Sequence, residues 1–135
     1  MKKRIVLLLL FVSFFSVTAQ KGNAADVLVQ KQIDAYNAKN IDTFAATFSD
    51  DVIFYNFPKE VNFKGIAKVR EVFSTLFKNN PDLYCTIEDR IVVENTVVYH
   101  EKVQFKKNTP IVSFVVMYKV LNNKITEVYF LERSK

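Results

Sequence analysis

The sequence predicts an α+β fold: three helices from the N-terminal half, packed on one face of an antiparallel sheet supplied mostly by the C-terminal half. Two changes of pattern carry this. Before Pro81 the apolar residues recur mainly at helical spacing, interrupted by one short aromatic and β-branched stretch. After Pro81 the period falls to two and stays there to the C-terminus. Helices followed by a run of strands is the α+β order. The third observation is size. A chain of 135 residues, half of them hydrophobic, makes one domain able to bury a core without cross-links.

The first residues stand apart from that domain. Lys2-Lys3-Arg4 precedes an apolar run over 5–15, and Val17-Thr18-Ala19 places small residues after it. This is the layout of a secretory signal peptide over 1–19, with cleavage expected between Ala19 and Gln20. The apolar run is shorter than the ~20 residues of a spanning helix. The expected product is therefore residues 20–135, exported to the periplasm or beyond, with no stable membrane anchor. Losing Lys2, Lys3 and Arg4 takes the formal charge from +5 to +2. So small and dispersed an excess argues against a nucleic-acid partner. Cys85 is the only cysteine, which excludes an intrachain disulfide. Leu83 and Ile87 beside it suit a small buried filler.

Taken in order, Asn23 suits a helix N-cap. Ala25, Leu28, Val29, Gln32, Ile33 and Tyr36 then fall on one helical face, with Gln32 the single polar member. Asn37 to Asn40 ends that helix, and Asn40 caps a short second one over 41–48. Ser49-Asp50-Asp51 reads as a turn. A strand is expected over 52–57, where Val52, Phe54 and Asn56 share a face, and Pro58 stops it. Residues 60–64 pair back as a short strand. Gly65 opens a third helix whose inner side is Ile66, Val69, Val72, Phe73, Leu76 and Phe77. Asn79-Asn80-Pro81 closes it. Four strands are expected over 83–94, 97–106, 111–121 and 124–133. Asn95-Thr96 and Asn122-Asn123 are two-residue links suited to hairpins. The third of these strands is apolar on both faces, with Val112, Phe114, Val116 and Tyr118 against Ile111, Val115 and Met117. Such a strand needs cover on both sides. Helices supply one cover, and a second copy of the chain is expected to supply the other, as a homodimer through the outer sheet face.

The order just described resembles the nuclear transport factor 2-like superfamily, most nearly its SnoaL-like branch. The features that carry the likeness are Asn37-Ala38-Lys39-Asn40, the short helix running into Phe48-Ser49-Asp50-Asp51-Val52, Gly65-Ile66 opening a helix, and Asn123-Lys124-Ile125-Thr126-Glu127-Val128. It spans about residues 24–133. The resemblance implies a cone-shaped fold, with helices against the concave face of a curved sheet and a pocket at the open end. It does not fix an activity, because such folds host many functions. The superfamily's steroid isomerases use a carboxylate base with a Tyr and a protonated Asp as oxyanion donors. Those positions correspond to Asn56, Gln32 and Val116, and an amide cannot act as the base. The limonene-epoxide-hydrolase-like branch shares an Asn with Asn56-Phe57-Pro58. Its Tyr corresponds to Phe54, and its Asp-Arg-Asp triad to Gln104, Lys102 and Phe130. Neither set of reacting groups is retained.

The pocket expected from this resemblance draws Gln32, Tyr36, Phe54, Asn56 and Phe73 from the first half. Phe114, Val116, Tyr118, Val128 and Phe130 come from the second. An aromatic lining with a few polar groups is how binding pockets are built. His100 and Glu101 are the candidates for acid–base work, on opposite faces of one strand. The face carrying Tyr99, Glu101 and Val103 and the face carrying His100, Lys102 and Gln104 both remain open as the inner one, because a slip of one residue exchanges them. No His/Cys grouping indicates a metal, and no Gly-rich loop indicates a phosphate cofactor. The expected function is an exported domain that binds a small apolar molecule. The alternative is a SnoaL-like enzyme of the isomerase, cyclase, dehydratase or hydrolase type.

Overall fold

Asn23 caps the first helix as the sequence predicts. Its side-chain oxygen accepts from the backbone N–H groups of Ala25 and Asp26 at 2.8 and 3.3 Å, satisfying donors that open the helix α1 (Ala24–Asn37). The structure is a computed structural model that describes residues 23–134; the expected signal peptide and its cleavage site lie outside the described residues. Asn40 caps α2 (Ile41–Ala45) by accepting from Thr43 N–H. The chain continues through β1 (Phe48–Asn56), β2 (Glu60–Lys64) and α3 (Ile66–Asn79). It ends in β3 (Tyr84–Val93), β4 (Thr96–Gln104), β5 (Val112–Leu121) and β6 (Lys124–Ser134). Among the described residues no helix is long and apolar enough to cross a membrane.

The six strands form one sheet in the order β2-β1-β6-β5-β4-β3. From β3 to β6 it is the expected antiparallel meander. Asn122 and Asn123 both have positive φ, 50° and 56°, as the two-residue hairpin between β5 and β6 requires. One pairing differs from expectation. The sheet is mixed, because β1 lies parallel to β6 and carries β2 on its far edge. The short second helix also stops at Ala45, and Phe48 already pairs with Ile125. The Ser49-Asp50-Asp51 stretch is therefore no turn. The β1–β6 register jumps from Phe48–Ile125 to Ile53–Glu127, so residues 49–52 stand opposite Thr126 alone. These polar residues bulge from the ladder. Gly65 then turns the chain into α3 at φ +89°, a conformation that favours glycine, and its N–H bonds Val52 O at 2.8 Å.

The helices cover one face of this sheet. Val29, Phe44, Val52, Val69, Val97, Tyr99, Val116 and Ile125 are fully enclosed between the layers. Phe44 is the hub of an aromatic cluster with Tyr36, Phe48, Phe73 and Phe77, at centroid distances of 4.5 to 6.2 Å. At one end the layers are locked shut. The Tyr99 hydroxyl donates to Asp26 at 2.5 Å, and Arg90 pairs with Asp26 while stacking on the Tyr99 ring. Asn37 ties α1 to β3 by donating to Cys85 O at 2.8 Å and accepting from Cys85 N–H at 2.7 Å.

Candidate functional site

Away from that locked end, helix and sheet diverge and leave a cavity of about 250 Å³. It exceeds the ~150 Å³ that accommodates benzene and falls just short of the range common for ligand pockets. Its wall is mostly apolar: Phe44, Phe48, Phe54, Phe73, Phe114 and Phe130 are all part of it. Val72, Phe73 and Leu76 of α3 are only half-buried, because they face this space rather than packed neighbours. The sheet side is set by the β4 register. Tyr99 pairs with Val116, Glu101 with Phe114 and Val103 with Val112, and this row points at the helices.

Eight expected pocket residues line the cavity: Gln32, Tyr36, Phe54 and Phe73 together with Phe114, Tyr118, Val128 and Phe130. Two do not. Val116 is fully enclosed. It stands opposite Tyr99, between the Val97–Tyr118 and Glu101–Phe114 pairs that the Tyr118 hydroxyl joins by its bond to Glu101. Asn56 sits one pleat beyond Phe54, past the covering helices, and is exposed at the rim of an adjoining hollow. Gln32 lines the cone cavity and Asn56 the adjoining hollow, so the two amides do not form one polar patch. Sequence reasoning places Asn56 on the right strand face but cannot tell where the helical cover ends. It also misses Cys85, Val103 and Asn62 as parts of the wall. The alternation of Cys85 with Ile87 and of Glu101 with Val103 is the signal that could have found two of them.

Gln32, Tyr36, Asn62, Cys85, Glu101 and Tyr118 interrupt the apolar lining. Glu101 is 7% exposed and receives a hydrogen bond from the Tyr118 hydroxyl at 2.5 Å. Burial pushes its carboxyl from 4.5 up to about 7, although the Tyr118 bond pulls in the other direction. Burial likewise drives Tyr118, and also Tyr36 and Cys85, well above their ordinary values, with the Glu101 charge adding to each rise. All three stay protonated at neutral pH. Gln32 is 5% exposed, and its Oε1 has no hydrogen-bond partner. Such an orphan acceptor costs about 1–3 kcal/mol. A buried carboxyl titrating near neutrality can take a proton from, or give one to, a molecule held against it. An amide turned over so that its unsatisfied oxygen faces the cavity can accept a donor that such a molecule brings.

His100, the other acid–base candidate, points away from the cavity. Its Nε2 lies 2.7 Å from Ser113 Oγ on the outer sheet face, and its Nδ1 is 3.5 Å from Glu88 and 3.8 Å from Asp89. A hydroxyl, an imidazole and a carboxylate in sequence are the group types of a serine hydrolase triad. Here the strand N–H groups around them are used in the β4–β5 ladder, which leaves no oxyanion donors. Lys102 also engages Glu88 at 3.1 Å. The cluster reads as a polar network on a sheet surface.

A cone of three helices on a curved mixed sheet, closed at one end and hollow at the other, defines the class of protein. The SnoaL-like domain model matches residues 29–128, and the chain belongs to that family. No curated protein matches it in sequence. Solved structures share the fold at low identity. An uncharacterised cystatin-fold protein from Novosphingobium aromaticivorans is 24% identical with a TM-score of 0.71, over 82% of this chain and 98% of that one. A protein from Kribbella flavida proposed to be a ketosteroid isomerase is 17% identical, TM-score 0.67, over 83% and 81%. A proposed SnoaL-like polyketide cyclase from Jannaschia is 15% identical, TM-score 0.66, over 80% and 84%. At these identities the likeness is one of fold.

Proposed function

We propose that this chain is an exported binding domain for a small, mainly apolar molecule held in the cone, with Gln32 and Glu101 as its polar contacts. The observation that carries the reading is the unpartnered Gln32 Oε1 beside an apolar cavity. A packed core would replace that amide with a hydrocarbon, because a buried acceptor without a donor destabilises the fold. Gln32 lines the cavity, and turning its amide over would bring Oε1 to that surface, where a bound molecule bearing a hydroxyl or N–H satisfies it. Export rests on the composition of residues 1–19. The test uses naphthol and the matching methoxynaphthalene, which lacks the donor. Fluorescence titration should show naphthol binding the more tightly, and Gln32→Leu should abolish the difference. Equal binding of both compounds to the parent protein would defeat the role given to Gln32.

The Glu101 carboxyl favours a second, catalytic reading. Aimed into the cavity and titrating near pH 7, it suits proton transfer to or from the bound molecule. Tyr118 anchors one carboxylate oxygen and fixes its direction. Under this reading the base is Glu101 on β4, a different position from the isomerase base aligned with Asn56. Hydrogen–deuterium exchange at the acidic C–H of an added cyclic ketone, lost in Glu101→Gln, would support it. Exchange at the uncatalysed rate in the parent protein would leave a binding domain.

A further inference from the structure

We propose that the bound molecule is a small apolar carboxylate, oriented with its anionic group outward onto Arg133. This deepens the binding role proposed above and rests on it.

Phe114, Phe130 and Asn62 line the cone cavity and also a second hollow of about 310 Å³ at its mouth. The rest of that hollow is Asn56, Leu131, Glu132 and Arg133. Apolar interior thus passes into a polar vestibule through shared side chains. Arg133 stands opposite Phe114 in the β5–β6 register, on the inner face, with its guanidinium 5.5 Å from the ring centroid. The cation–π contact with Phe114 holds the guanidinium over the entrance and leaves its N–H groups free to donate. Among the described residues Arg133 takes part in no ion pair. An arginine fork matches a carboxylate, and the Asn56 and Asn62 amides add donors around it.

The inner end of the cavity dictates the orientation. Glu101 is already a carboxyl in a low-dielectric wall, and the groups around it are neutral tyrosines and a thiol. A second carboxylate placed there would meet like charge and no cation. An acid therefore enters with its apolar body first. Glu132 also borders the vestibule, but its register partner is Val115 on the outer face. Its charge weakens the attraction without blocking the fork, so its removal should strengthen acid binding.

The experiment compares naphthylacetate with naphthylethanol, two probes with one apolar body and different head groups, by fluorescence titration at low and moderate salt. The acid is expected to bind at least tenfold tighter to the parent protein. Arg133→Gln should bring the two together without changing alcohol binding, and Glu132→Gln should strengthen acid binding alone. Equal binding of acid and alcohol to the parent would overturn the anionic assignment and leave the cavity reading standing. An acid preference that survives in Arg133→Gln would also overturn it. Failure of both probes to bind would remove the cavity reading, and this one with it.

Discussion

Replacing Glu101 by Gln should change how stability depends on pH. In the folded protein the carboxyl titrates at about 7, against an ordinary value of 4.5. The folded state therefore binds this proton more tightly than the unfolded chain does. Below the unfolded value both states are protonated and the group adds nothing. As pH rises from 4.5 toward 7 the unfolded chain loses its proton while the folded protein keeps it, so stability falls. Above the folded value the loss is complete, at about 3 kcal/mol. No cation in the cavity wall offsets the carboxylate. Tyr118, Tyr36, Cys85 and Tyr99 face it from β5, α1, β3 and β4, and each is held protonated. Arg90 lies against the Tyr99 ring but is engaged by Asp26. Glu101→Gln keeps an acceptor for the Tyr118 hydroxyl and removes the ionisation. Urea denaturation from about pH 5 to about pH 8, at fixed protein concentration, should show the variant gaining about 2–3 kcal/mol on the parent across that window. The midpoint difference should grow by roughly 1–2 M urea. A gap between the two proteins that stays constant with pH would refute the reasoning.

Three further outcomes are expected. Gln32→Leu should leave stability unchanged or raise it by about 1 kcal/mol, because it removes an orphaned buried acceptor at similar volume; a loss of similar size in urea denaturation would show that the amide is bonded within the fold. The domain is expected to pair through the outer sheet face around Val115 and Met117, and Val115→Lys should convert dimer to monomer in sedimentation velocity by placing a charge in that contact; a monomeric parent, or a variant that stays dimeric, would end this reading. Intact mass of the exported protein should begin at Gln20, and material retaining Lys2-Lys3-Arg4 would remove the signal peptide.

Local rules carried most of the element order. Asn23 and Asn40 announced their helices because a side-chain acceptor there satisfies N–H groups that the helix cannot. Asn122-Asn123 announced its hairpin because that turn needs two residues tolerant of positive φ. The same local rules misread Ser49-Asp50-Asp51 as a turn. A polar run is equally at home in a bulge, and it was β6, about 75 residues away in the chain, that drew Phe48 and Ile53 into one ladder.

By itself the sequence determined the α+β order and the two alternating faces of β4, since each is written in periodicity and caps that act over a few residues. Tertiary structure alone decided that β1 lies parallel to β6, that Glu101 faces the cavity while His100 faces outward, that Val116 is enclosed rather than part of the lining, and that Asn56 falls beyond the helical cover at the mouth. The physical reason is common to all four. Alternation fixes which side chains share a face, but which face becomes interior depends on where α1 and α3 dock and on the register of distant strands, and only that burial raises Glu101 to neutrality and leaves Gln32 without a partner.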